Sequence, residues 1–402
     1  MSLNNTPSSE RLHIGIFGRT NSGKSSLINA LTGQNLAIVS DVKGTTTDPV
    51  SKAMELLPLG PVVLIDTPGL DDDGILGMQR IEKAEKVLKE VDMALLVIDI
   101  NSRLSNFDIH ILNFIKDRNI PYITVFNKAD MVSNPKNAAD KLIPSTEHSI
   151  YVSCNTRENI DALKEMIGRL VPESKKETFI VADLVDKGDL VVLVVPIDES
   201  APKGRLILPQ QQTIRELLDK GALTVVVKDT ELEETLNKLG TKPKLVITDS
   251  QVFKKVAEIV PEDIYITSFS ILFARYKGDL NILVNGAETL DTLEDKDTLL
   301  ISEGCTHHRQ CNDIGTVKLP GMLKKYTGKD LNFEFTSGKD FPDDLSKYKL
   351  IVHCGGCTLT ATQMKERIKI AKDKNVPITN YGVSMAKLQG ILDRNLQIFS
   401  YV

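Results

Sequence analysis

Gly18-Arg19-Thr20-Asn21-Ser22-Gly23-Lys24-Ser25 follows the apolar run His13-Ile14-Gly15-Ile16-Phe17 and opens the helical pattern Lys24 to Leu31. A GxxxxGKS stretch between a strand and a helix is a phosphate cradle. Its backbone N–H groups line an anion-sized concavity, and the helix dipole adds positive potential. Lys24 is expected to reach the β- and γ-phosphates and Ser25 to ligate Mg2+, with Gly18, Asn21, Ser22, Gly23 and Ser26 completing the cradle.

Working outward, apolar runs alternate with helical patterns: strand Val62–Ile65, helix Glu82–Glu90, strand Met93–Ile98, helix Phe107–Lys116, strand Tyr122–Phe126 and a closing helix Ile160–Leu170. That alternation predicts an α/β domain over 1–172 with a mainly parallel sheet and helices on both faces. Further loops follow in order. Asp66-Thr67-Pro68-Gly69 offers a carboxylate to the Mg2+ shell and a Gly69 N–H to the γ-phosphate. Asn127-Lys128-Ala129-Asp130 offers the Asp130 carboxylate to the N1–H and N2 amine of guanine, donors that adenine lacks, so it selects GTP. Ser153-Cys154-Asn155 fits a loop touching guanine O6 through backbone N–H, and Gly44-Thr45-Thr46-Thr47 a loop giving a threonine to Mg2+.

These loops, in this order, resemble the P-loop GTPases. The resemblance implies GTP/GDP and Mg2+ as ligands and hydrolysis of GTP to GDP and phosphate, with Lys24, Ser25, Asp66 and Gly69 as the catalytic set. Leu70 stands where Ras-like enzymes carry a water-orienting glutamine, so intrinsic turnover is expected to be slow or assisted. Asn21 and the run Gly44-Thr45-Thr46-Thr47-Asp48 resemble the potassium-dependent GTPases related to tRNA-modification and ribosome-assembly enzymes, which implies K+ stimulation through Asn21. The catalytic switch residue is not assigned. Asp71, Asp72 and Asp73 are candidates, but an acidic run also suits a solvated loop.

At 402 residues the chain calls for more than one domain. Pro172 to Glu177 is a polar, Pro-containing linker. A middle α/β unit over 178–267 follows, with Leu190–Val195 as a strand buried on both faces and a candidate to sit near a subunit interface. A third α/β segment spans 268–402, with strands Asp297–Ile301 and Lys347–Val352, helix Thr360–Asp373, short strand Pro377–Asn380 and helix Ser384–Leu392. Strands and turns alone are expected between Thr306 and His353.

A net charge of −5 gives no whole-chain footprint for nucleic acid or an anionic membrane. No apolar run approaches the roughly 20 residues of a membrane helix. The polar start does not read as a signal peptide, and Met1-Ser2-Leu3 suits an expression scar. Five cysteines, an odd number, argue against a disulfide framework. Together these point to the cytoplasm.

Three of those cysteines gather in two clusters, Cys305-Thr306-His307 and His353-Cys354-Gly355-Gly356-Cys357. Each cluster follows a strand, on the edge where parallel sheets build their crevices. Cys305, His307, Cys354 and Cys357 would suit tetrahedral zinc, whereas Cys305, Cys354 and Cys357 would suit a 4Fe-4S cluster with one open iron. Pattern alone leaves both open. A lone C-x-x-C also reads as a redox dithiol, but that needs no third cysteine. Cys154 and Cys311 read as ordinary thiols.

A GTPase, a middle α/β unit and a C-terminal CxH…HCxxC domain together resemble the HydF family, the maturation GTPases and scaffolds of FeFe-hydrogenase. The resemblance covers essentially the whole chain. It implies a 4Fe-4S cluster on Cys305, Cys354 and Cys357, with His307, His353 or Glu303 as candidates for the fourth position. It further implies a di-iron precursor as cargo, radical-SAM maturation enzymes and apo-hydrogenase as partners, and a homodimer formed through the middle domain. The alternative is an RNA- or ribosome-associated GTPase with a structural zinc, which the acidic chain disfavours.

Overall fold

The computed structural model describes residues 6–32, 50–56, 60–67, 75–143, 148–170, 178–197, 206–304, 313–338 and 340–401. They form two compact units, Met1–Glu177 and Thr178–Val402. The expected linker at 172–177 lies outside the described residues.

The first unit carries strands β1 (Leu12–Phe17), β2 (Val50–Leu56), β3 (Gly60–Asp66), β4 (Met93–Asp99), β5 (Tyr122–Asn127) and β6 (Ser149–Tyr151). Their order is β2-β3-β1-β4-β5-β6, all parallel except β2, which runs antiparallel to β3. Alternation along β4 shows why the sheet is a middle layer. Met93, Leu95 and Val97 join one core with helices Lys24–Thr32 and Ile160–Leu170. Ala94, Leu96 and Ile98 join the other, under helices Ile75–Glu90 and Asn106–Asp117. Both faces are therefore apolar, as a parallel sheet covered on two sides requires. The sequence reading missed β2: its residues mix Lys, Met and Glu, and most are exposed.

The second unit holds two fully parallel sheets. One contains β7 (Leu190–Val194), β8 (Leu223–Val227), β9 (Leu245–Thr248) and β10 (Tyr265–Ser268) in the order β10-β9-β7-β8. The other contains β11 (Thr298–Ser302), β12 (Asn332–Thr336), β13 (Leu350–His353) and β14 (Ile378–Asn380) in the order β12-β11-β13-β14. Strand β7 is interior, one place in from the edge strand β8. The exposed edge is β8, where Leu223 and Val226 are 60% and 45% exposed. Between 306 and 353 the expectation of strands and turns alone also fails, because Leu319–Thr327 is a helix whose Leu319 and Leu323 enter the core.

Helix Phe269–Lys277 ties the two sheets together. Phe269, Leu272 and Phe273 pack into the core of the first sheet, while Ile271 and Ala274 pack into the two cores flanking the second. The boundary expected at 267/268 falls at the start of this helix. No helix among the described residues is long and apolar enough to cross a membrane.

Candidate functional sites

In the first unit the motif residues gather at the carboxyl edge of β1, β3, β4 and β5. The cradle depends on two glycines. At Gly18 (φ +149°) a Cβ would lie 2.3 Å from the Val97 carbonyl oxygen, and at Gly23 (φ +94°) it would lie 2.1 Å from Asn127 Nδ2. Only glycine tolerates both the backbone and the closeness. Lys24 is buried, and its ammonium donates to the carbonyls of Gly18 (2.8 Å) and Arg19 (2.9 Å), which holds the charge across the loop. Asn21 sits in the left-handed region at φ 63° and is exposed, as are Ser25 and Ser26.

Asp66 ends β3 beside Lys24 and Ser25. Burial pushes its carboxyl up, while the Lys24 charge and a hydrogen bond from Ser25 oppose that shift. Its Oδ1 is buried with no hydrogen-bond partner among the described residues. A buried carboxylate oxygen left over beside a hydroxyl fits a hard divalent cation, so the donor set suits Mg2+. Thr45, Thr46 and Gly69 lie outside the described residues.

Asn127 is a strut between loops. It is buried; its Nδ2 donates to the Ser22 carbonyl (3.1 Å), and its Oδ1 accepts from the N–H of Lys128 (2.8 Å) and Cys154 (3.4 Å). Lys128 pairs with Asp99 at 2.6 Å. Burial raises the Asp99 carboxyl, but Lys128 and the Asn101 donors outweigh it and hold it low. Asp130 accepts from the Ser153 hydroxyl (2.6 Å) and Asn155 Nδ2 (3.3 Å), which keep its carboxyl below the usual range and aligned. Ser153 thus acts through its hydroxyl, and its N–H donates to the Glu158 carbonyl. Cys154 packs half-buried against the core, and burial pushes its thiol up to about 11. Asp99 was missed by the sequence reading, although its place at the end of β4 was the available signal.

The second site lies where the carboxyl edges of both second-unit sheets face one cavity of about 480 Å3. Its wall includes Cys354, Cys357, Glu303 and Tyr381 on one side, and Ser250 and Phe273 on the other. Strands β11 and β13 are neighbours, with Ser302 opposite His353, so the two cysteine-bearing loops leave the sheet side by side. Cys305 and His307 lie outside the described residues, as does Cys311. The residue before Cys305 is placed: the Gly304 N–H donates to Cys354 Sγ at 3.0 Å, and the Gly356 N–H reaches the same sulfur at 3.4 Å. Burial pushes the Cys354 thiol up to about 11, and these two N–H groups oppose the shift. A sulfur cupped by two backbone donors, with Cys357 on the same wall, fits a thiolate held to metal.

His353 does not join them. Along β13 it shares the face of Ile351, which packs under helix Ala361–Asp373, while the cysteine loop turns to the cavity. The His353 Nδ1–H donates to the Cys354 carbonyl at 2.7 Å, and Nε2 accepts from Arg367 at 2.8 Å. Both nitrogens are occupied, and burial with the Arg367 charge pushes the imidazole down to about 3. The expectation that His353 ligates is corrected: strand alternation aims it at Arg367. Glu303 does reach the cavity, accepting from the Tyr381 hydroxyl at 3.3 Å. Burial and the Glu303 charge push that hydroxyl's pKa up.

Residues 13–128 match the family model of the 50S ribosome-binding GTPase, 180–278 the hydrogen maturase F dimerization domain, and 281–398 the hydrogen maturase F tetramerization domain. The tRNA modification GTPase MnmE of Legionella pneumophila is 40% identical over 165 residues, 40% of this chain and 35% of that protein. GTPase Era of a Thermoanaerobacter species is 28% identical over 263 residues, 61% of this chain and 82% of that protein. The chain spans about a third of the length of the MnmE relatives it matches. Among solved structures, an Aquifex aeolicus Era variant bound to GDP and AlF4− is 22% identical, with a TM-score of 0.35 over 57% of this chain and 98% of that one. The first unit is a GTPase domain.

Proposed function

The chain has the domain architecture of hydrogen maturase F, and from that premise we propose a GTP-hydrolysing scaffold that holds a 4Fe-4S cluster and carries a di-iron precursor to apo-hydrogenase. The observation that carries this reading is the cavity at the joined sheet edges, with Cys354 cupped by Gly304 and Gly356 and Cys357 beside it. Cys305, Cys354 and Cys357 are the cluster ligands. Glu303, on the cavity wall, and His307 are the candidates for the remaining position. Such a cluster, bound by three thiolates, supplies one iron with an exchangeable site. The cargo is a di-iron unit made by radical-SAM partner enzymes.

At the other site, Lys24 neutralises the β- and γ-phosphates, Ser25 and Asp66 hold Mg2+, and Asp130 reads guanine. Asn21 holds K+, whose charge serves in place of an arginine finger. Nucleotide turnover acts on partner binding, and it shifts that equilibrium only by its differential affinity for the two states. The protein works in the cytoplasm as a homodimer, for which the exposed edge of β8 is the available pairing surface. Two of the three domain matches are to hydrogen maturase F, which leaves the zinc-bearing ribosomal alternative with the GTPase domain alone.

A pair of variants tests the reading. Cys354→Ser should abolish iron binding and leave GTP turnover within about 2-fold, while Lys24→Ala should lower turnover roughly 100-fold and leave iron content unchanged. Collapse of hydrolysis in Cys354→Ser would overturn the separation of roles.

A further inference from the structure

Lys277 is the last residue of helix Phe269–Lys277 and only 1% exposed. Its ammonium donates to three carbonyls of the loop that bears the second cysteine: Gly356 (3.4 Å), Cys357 (3.2 Å) and Leu359 (2.9 Å). Phe273, one turn earlier, faces it with its ring at 5.9 Å. Burying an ammonium is costly unless its protons find acceptors, and here one short loop supplies three of them. The same helix packs Phe269 and Phe273 into the core of the β7 sheet. The loop is therefore anchored from the neighbouring sheet, across a sequence separation of about 80 residues.

We propose that Lys277 is the positioning residue of the Cys354–Cys357 loop, and that it sets its ammonium behind any anionic cluster held there. The mechanical half rests on the loop geometry alone; the electrostatic half rests on the cluster reading above. A thiolate-bound cluster is anionic, and reduction adds an electron. A buried cation at the loop carbonyls favours the reduced form, and net charge is one of the levers on such potentials. Without it, the loop carbonyls lose their shared donor, and the thiolates lose part of their alignment. Outer-shell partners of metal ligands typically contribute 10–100-fold to metal affinity.

The test uses the full chain and the variants Lys277→Met, which removes the charge, and Lys277→Arg, which keeps it. In the anaerobically reconstituted protein, Lys277→Met should lose iron to a chelator about 10-fold faster and shift the cluster potential to more negative values. Lys277→Arg should restore the potential. In protein without iron, Cys354 of Lys277→Met should be alkylated several-fold faster, because the loop that shields it is released. Cooperative denaturant unfolding of the second unit reports that the variant is folded there. Should the methionine variant not fold, Lys277→Gln takes its place with the same expected results. Unchanged potential and iron loss in a folded, iron-loaded variant would overturn the electrostatic half. An unchanged alkylation rate would overturn the positioning half. A parent protein that takes up no iron overturns the cluster reading and with it the electrostatic half, while alkylation still decides the positioning half.

Discussion

The nucleotide site and the cysteine cavity are both built at the carboxyl edges of parallel strands, yet they are wired differently. In the first, polar side chains hold one another: Asn127 bridges Ser22 to Lys128, Lys128 pairs with Asp99, and Asp130 is gripped by Ser153 and Asn155. In the second, the sulfur of Cys354 is met by backbone N–H groups, and the loop is braced from outside by Lys277 and His353. A site that binds and releases a nucleotide needs its reading groups aligned in advance. A site for a soft metal needs thiolates at the right spacing and a rigid loop behind them.

The largest expected break in that comparison is at Asp130. Asp130→Asn should weaken GTP binding about 100-fold or more and relax discrimination against xanthosine nucleotides, measured by competition binding. Iron uptake should not change. Next is the cation. Turnover of the parent chain should be faster in K+ than in Na+, and Asn21→Ala should bring the K+ rate down to the Na+ rate. Equal rates in the parent would remove the K+ assignment.

Asn127→Ala should cost about 1–3 kcal/mol in the first unit, because it leaves the Ser22 carbonyl and the Lys128 N–H without their partner. Denaturant unfolding followed with probes in each unit should show the loss in the GTPase domain alone. At neutral pH the smallest effect belongs to His353. Its pKa falls from 6.5 to about 3 on burial. The unfolded chain therefore binds the extra proton first, and stability is full above about pH 6.5 and declines toward pH 3. The slope approaches about 1.4 kcal/mol per pH unit. His353→Gln should flatten it, as read from denaturant midpoints of the iron-free chain.

How far each site was legible follows from how its parts are spaced. The phosphate cradle is one contiguous stretch, and Asp66 and Asn127 follow strands with strong apolar runs, so those strands and loops could be read directly, whereas the mixed-polarity β2 could not. Most strands past Leu190 were legible for the same reason, but β12, with its exposed Asn332 and Phe335, was not. The helix at Leu319–Thr327 was not, because Pro320 and Gly321 in its first turn read as punctuation. The bracing residues were not legible either. Lys277 and Arg367 are single cations on helices, and only the packing of those helices onto the cysteine loop gives them meaning. His353 was misread because adjacency to Cys354 in sequence suggests a shared ligand set. In a strand, one residue of displacement turns the side chain to the opposite face.

We assign the cavity walled by Cys354 and Cys357 to an iron–sulfur cluster. The direct measurement is the iron, sulfide and zinc content of the full chain purified or reconstituted without oxygen. A brown protein with about four iron and four sulfide per chain, lost in Cys354→Ser, is expected. A colourless protein that retains one zinc per chain and takes up no iron would contradict it.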